Sequence, residues 1–322
     1  MKKTLFAFLS TTLLFCACSS DDDIRPSAPK QKNDNANGFV ANGTTENRSL
    51  NLTEIAKRLE MPRLKGGSSN LFIAHTIPTF GVNYCMEYDC ERLASRWTAY
   101  QWYTGYSSND SKWNRNSWKY GQTFNGYGGD SDPFQPDPLI PRDFQTTLED
   151  HSRNGYDRGH MLGSADRLNS KEANGQTFYL SNMQPQLAAF NQGGIWYTLE
   201  EKLRKQYDTS AFRDTLYVVK GGTIADGQIL TTAKGASGRK LLVPKYFFMA
   251  LLCKNKSQSQ SGYKAIAFWM EHKNNNDTNP LPYAISIDEL EEKTGIDFFC
   301  NLPDDIEEQV EANMAPVAWG LK

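Results

Sequence analysis

The chain has 322 residues, 39% of them hydrophobic and 12% aromatic, enough to bury a sizeable core in one large domain or two small ones. Its formal net charge is −2, and removal of a leader carrying Lys2 and Lys3 would make it more negative. That excludes a protein that coats nucleic acid through overall positive charge, so any such contact must come from a local basic cleft.

Met1-Lys2-Lys3 is followed by an apolar run from Leu5 to Ala17, broken only by Ser10, Thr11 and Thr12. The run is short for a membrane span and reads as a signal peptide over residues 1–17. Leu14-Phe15-Cys16-Ala17-Cys18, with Ser19-Ser20-Asp21-Asp22-Asp23 behind it, resembles a bacterial lipoprotein signal. The resemblance implies lipidation at Cys18, with Cys16 the weaker candidate. It also implies an exported protein anchored to the outer membrane, which the acidic run would direct to the cell surface. The alternatives are an ordinary secretory signal cut nearby and a merely solvated acidic start to a tether. Residues 18–70 are rich in Asn, Ser, Lys, Asp and Gly and predict a flexible tether, with one short helix at Leu52 to Leu59 and a turn at Asn42-Gly43.

The folded domain is expected over residues 71–322. Leu71 to Ala74 reads as a strand before the turn signals Pro78 and Gly81, and Arg96 to Tyr103 as a half-buried strand. Asp110 to Asp143 is a long irregular segment holding Arg115, Trp113, Trp118 and Phe124; its aromatic residues suit a core, or less readily the stacking of bases. Thr177 to Asn182 predicts a short strand. A helix should run from about Ile195 to Tyr207, with Trp196, Leu199, Leu203 and Tyr207 on one apolar face. Further strands are expected at Leu216 to Val219, Leu241 to Leu252 and Ala265 to Met270. Ser286-Ile287-Asp288-Glu289 is a capping box, and Thr294-Gly295 a helix stop. Apart from Cys16 and Cys18, the cysteines are Cys85, Cys90, Cys253 and Cys300. In an exported domain they suggest two disulfides, with three pairings open; Cys85 with Cys90 would leave Cys253 with Cys300. Zinc is disfavoured, because no pair has the C-x-x-C spacing.

The chemistry gathers at Asp157-Arg158-Gly159-His160. Histidine offers a base near neutral pH, and arginine a planar fork of donors suited to phosphate. Downstream come Ser181-Asn182-Met183-Gln184-Pro185-Gln186, Phe190-Asn191-Gln192, Trp196 and Leu199-Glu200. These four pieces, in this order, resemble the DNA/RNA non-specific endonucleases, the ββα-metal nucleases. The resemblance implies an α+β fold with a mixed or antiparallel central sheet, flanking helices and a ββα-metal motif. It implies hydrolysis of phosphodiester bonds in both DNA and RNA, leaving 5′-phosphate ends. His160 would be the general base and Asn191 the direct ligand of Mg2+, or of Mn2+ or another divalent cation. Glu200 would support the metal shell, Asn182 the metal site and phosphate, and Arg158 and Arg115 would contact phosphate. Asp157 is expected to orient a neighbour. Asn191 on its own could equally cap the helix.

The spacing departs from the family in one place. Asn191 and Glu200 are nine residues apart, one more than expected, and about 100° per residue on a regular helix would set them on opposite faces. Gly193-Gly194 is where the extra residue could be absorbed. Two rival readings keep the scaffold but change the function: a surface adhesin or nucleic-acid-binding protein that no longer cuts, and a metal phosphodiesterase for non-nucleic substrates.

Overall fold

The computed structural model describes residues 32–129, 133–255 and 261–322. The signal peptide, Cys16 and Cys18 lie outside the described residues. In chain order the elements are β1 (Gly43–Thr45), α1 (Leu52–Ala56), β2 (Asn70–Ile77), β3 (Gly81–Asp89) and β4 (Ala94–Tyr103). A small hairpin, β5 (Thr123–Phe124) and β6 (Tyr127–Gly128), precedes β7 (Asp157–His160), α2 (Lys171–Gln176), β8 (Met183–Gln186), α3 (Ala188–Asn191) and α4 (Ile195–Lys202). Then come β9 (Thr215–Gly222), β10 (Ile229–Lys234), β11 (Lys240–Pro244), β12 (Tyr246–Lys254), β13 (Tyr263–Glu271), β14 (Ala284–Ile285), α5 (Ile287–Thr294) and α6 (Asp304–Glu311).

Eight strands form the central sheet in the order β1-β2-β3-β4-β9-β12-β13-β14. Only β1 on β2 is parallel; every other pairing in it is antiparallel. Alternate residues of each strand go to opposite faces, and here both faces are covered. Tyr100, Trp102, Val218, Met249 and Phe268 meet Met161, Phe190, Trp196 and Leu199 on one side. Trp97, Ala99, Val219, Ala250 and Ala267 meet Ile55, Ile287, Leu290 and Val310 on the other. Two covered faces make a strand continuously apolar rather than alternating. For that reason Leu241 to Leu252 reads as one strand but forms two, parted after Pro244.

Four expectations need correction. Residues 32–70 are not a free tether. β1 adds to the sheet edge, and Asn37 Nδ2 donates to the carbonyls of Ala56 and Pro62 at 3.0 Å each. The segment's asparagines supply through hydrogen bonds what its sparse apolar residues cannot. Thr177 to Asn182 is not a strand: α2 ends just before it, and Leu180–Asn182 forms a 3-10 turn. The helix expected to reach Tyr207 is regular to Lys202 and continues as a wider π turn over Leu203–Tyr207. Finally, Cys85, Cys90, Cys253 and Cys300 are all free and buried. Cys85 belongs to one core and Cys90 and Cys253 to the other, while Cys300 Sγ lies 3.6 Å from the carbonyl of Met61, a residue of the Cys85 core. The sheet therefore stands between the members of both anticipated pairs.

The irregular segment's aromatic residues build a third, smaller core. Trp118, Phe134 and Phe178 pack with Leu180 and Met183, and Trp118 Nε1 donates to Asn174 Oδ1 at 2.7 Å.

Candidate active site

β7 and β8 pair antiparallel, with Gly159 opposite Gln184 and His160 opposite Met183. α3 follows β8 directly, so two strands and a helix form one ββα unit. Gly159 leaves room for Gln186 within it: a Cβ there would lie 2.1 Å from Gln186 Oε1, so that side chain would have to shift. The unit delivers His160 and Asn191 to a cleft of about 430 Å³, whose walls also include Arg115, Gly163, Glu200 and Arg204. α3 ends at Asn191, and α4 restarts from Gly194. This break absorbs the additional residue, so that Asn191 and Glu200 share the cleft despite the nine-residue step. Gly194 sits where a Cβ would lie 2.1 Å from the Asn275 carbonyl and 2.2 Å from that of Ala189.

The imidazole of His160 packs between Phe134 and Phe178, with ring centroids 5.6 and 5.4 Å away. Its Nε2 has no hydrogen-bond partner among the described residues. Burial, and then the positive charge of Arg115, hold this histidine down at about 3 against the pull of Asp166. It is therefore neutral at ordinary pH. Arg115 opens a 3-10 turn over Arg115–Lys119, whose N-cap is Asn114.

Asp157 Oδ2 accepts from Asn191 Nδ2 at 3.1 Å and from Gln192 Nε2 at 2.8 Å. With its nitrogen so engaged, Asn191 has its amide oxygen left as a ligand atom. It does not cap α4: the N-cap is Gly194, which makes no side-chain cap.

Glu200 is held by groups that sequence reasoning missed. Its Oε1 accepts from Lys220 Nζ at 3.1 Å, and Arg204 Nη1 lies 3.9 Å from Oε2. Lys220 is fully buried in β9, and its ammonium also lies 3.6 Å from Asp166 Oδ2. Asp166 accepts from Arg204 at 2.8 Å and from the Tyr100 hydroxyl at 3.0 Å. Burial disfavours charge on Asp166, but Lys220 and Arg204 outweigh it and hold the carboxyl below its usual range. A lysine ending the apolar run Leu216-Tyr217-Val218-Val219 was the available signal, since a buried charge needs a partner. The Glu200–Arg204 spacing of four on a helix was another.

Two expected site residues do not form the cleft's walls. Asn182 is wholly buried; its Oδ1 accepts from Leu162 N at 2.9 Å, and its Nδ2 donates to the carbonyls of Leu162 and Thr177 at 2.9 and 2.8 Å. It clamps the backbone just beyond His160 and is a positioning residue, with no donor left over for phosphate. The guanidinium of Arg158 stacks on Phe134, 4.0 Å from the ring centroid, and so flanks the wall that holds His160.

The donor set suits a hard divalent cation: an amide oxygen from Asn191 and a carboxylate from Glu200, with no thiolate among the cleft's walls. The sequence profile of the DNA/RNA non-specific endonucleases matches residues 72–305. The chain belongs to that family. It is 31% identical over 186 residues to Nuclease C1 of Cunninghamella echinulata, covering 56% of this chain and 71% of that one. It is 30% identical over 216 residues to a nuclease of Nostoc, covering 65% and 75% respectively. The mitochondrial nuclease EXOG of Xenopus laevis is 34% identical over 179 residues, or 53% of this chain and 48% of that protein. The match thus spans most of the first two relatives and about half of the third. A chain of the crystal structure of the EndoG/EndoGI complex superposes with a TM-score of 0.50 at 22% identity, covering 68% of this chain and 84% of that one, and so shares its fold. The protein is a hydrolase of the nuclease class, built on a mixed α+β fold.

Proposed function

We propose that this nuclease is a divalent-metal-dependent, sugar-non-specific endonuclease that hydrolyses DNA and RNA to 5′-phosphate and 3′-hydroxyl ends. The observation carrying this reading is the meeting of His160, Asn191, Glu200 and Arg115 on one cleft. His160 takes a proton from the attacking water, and its Nε2 is uncommitted among the described residues. Arg115 binds the scissile phosphate. Asn191 Oδ1 would hold the cation and the Glu200 carboxylate would orient its waters; when bound, the cation offsets charge on the phosphate and the leaving oxygen. Asp157 aims Asn191; Lys220, with Asp166 and Arg204, aims Glu200. Attack by water makes no use of a 2′-hydroxyl, so both sugars are substrates.

Plasmid DNA and a structured RNA, each incubated with Mg2+ and with EDTA, test the proposal, with the termini mapped by end-labelling. Cleavage that survives EDTA, or products carrying 3′-phosphates, would overturn it. The same reading places the enzyme outside the cell, lipid-anchored at Cys18. Cys18→Ser should then move it from the membrane fraction to the soluble fraction. Wild-type protein found wholly in the soluble fraction would refute the anchor.

A further inference from the structure

On the face of the sheet away from the cleft, α5 and α6 pack together. Asp288 and Glu291 lie one turn apart on α5, and Glu311 ends α6. One oxygen from each of these three carboxylates lies within 4.8 Å of the others. Glu311 is only 7% exposed, and its Oε1 has no hydrogen-bond partner. It also stands at the C-terminal end of its helix, where the backbone dipole opposes negative charge. Among the described residues, no lysine or arginine forms an ion pair with Asp288, Glu291, Glu307 or Glu311. A buried carboxylate aimed at two others, with no protein cation to balance it, lacks a counter-charge.

We propose that Asp288, Glu291 and Glu311 bind a second divalent cation of the calcium kind, separate from the cleft. Calcium accepts six to eight oxygens in irregular geometry, and carboxylates bind it through one or both oxygens. Glu291 uses Oε1 to accept from Phe298 N at 2.6 Å, which leaves its other oxygen for the ion. Asp288 is exposed, so water can complete the shell from that side. The ion joins α5 to α6. The neighbouring acids extend this junction to the N-terminal strap, since Asn35 Nδ2 donates to Glu307 at 3.0 Å and Asp297 at 3.4 Å. Asp34 N and Asn37 N likewise donate to Asp304 and Asn301 at 3.0 Å each. The cation is thus structural and secures the segment through which the chain enters the domain.

The test is thermal melting of the wild type, Asn191→Ala and Glu311→Gln, each in EDTA and in millimolar CaCl2. Asn191→Ala removes the cleft's ligand, and Glu311→Gln keeps the shape of the side chain without the carboxylate's charge. Saturating calcium should raise the melting temperature of the wild type and of Asn191→Ala by about 5 °C. Glu311→Gln should show no rise, while cutting DNA in Mg2+ within about twofold of wild type, an effect too small to involve the chemistry. If Glu311→Gln fails to fold, Asp288→Asn at the exposed rim serves in its place with the same expectation. A calcium shift that disappears in Asn191→Ala would locate the ion in the cleft and overturn the proposal. A shift retained in Glu311→Gln or in Asp288→Asn, or none in the wild type, would overturn it as well.

Discussion

Asp157 and Asn191, 34 residues apart in the chain, are joined by a 3.1 Å hydrogen bond from the amide nitrogen to the carboxylate, which turns the amide's oxygen into the available ligand atom. Asn191→Ala should therefore raise the Mg2+ concentration for half-maximal rate and lower the maximal rate. Its melting temperature in EDTA should barely change, because Gly194, not Asn191, starts α4. Asp157→Ala should act more mildly and in the same direction, weakening metal affinity by about 10–100-fold as other lost supports of a metal ligand do. A normal Mg2+ titration in both variants would remove Asn191 from the metal site.

His160→Ala should lower the cleavage rate by about 10²–10⁴-fold with the fold retained. Because the imidazole is held at about 3, it remains an unprotonated base well below pH 6.5. The acid limb of the rate profile should therefore lie below that of an ordinary histidine, and a break at pH 6.5 abolished in the variant would contradict the assigned state. In stability the sign runs the same way. The unfolded histidine binds a proton below about 6.5 and the folded one does not, so acidification through that range costs stability.

Gly194→Ala should cost more stability than an ordinary surface change, since its Cβ has no room beside Asn275 and Ala189. Cleavage should fall as well, because the break between α3 and α4 aligns Asn191 with Glu200. Wild-type melting and activity together would show that the backbone shifts freely there.

His75 is buried between two acids, its Nδ1 2.8 Å from Glu46 and its Nε2 3.0 Å from Asp137. Burial opposes its charge, but the two carboxylates prevail and raise it to about 10. Its contribution to stability should be complete below about pH 6.5 and fade as pH rises toward 10. Melting temperatures from pH 6 to 10 should fall more steeply for wild type than for His75→Gln. Parallel slopes would mean that the histidine is neutral.

The cleft's near wall was legible because its residues are local in the chain: His160, then Asn191, then Glu200, each in a recognisable piece. The rest depends on contacts between residues distant in the chain. Lys220 reaches Glu200 from β9, and Asp166 bonds Arg204 across 38 residues. Asn182 belonged to a recognisable piece but not to the cleft, because its side chain repeats backbone hydrogen bonding. Among the strands, Thr177 to Asn182 has the aromatic and β-branched composition of one. Its backbone turns instead, and Phe178 and Leu180 fill the third core. The strap over residues 32–70 looked disordered by composition, since hydrogen bonds from single asparagines leave no periodic trace.

The four cysteines among the described residues give this molecule internal reporters of its own opening. Each is buried, and burial raises the pKa of every one, so in the closed protein they are protonated and slow to react. An alkylating reagent can reach them only when the layer covering them lifts. Cys85, and Cys300 beside Met61 of the same core, time the face carrying α5 and α6, while Cys90 and Cys253 time the face carrying the ββα unit. Matching labelling rates for the two pairs would mean that the sheet releases both layers together; unequal rates would show which layer lets go first.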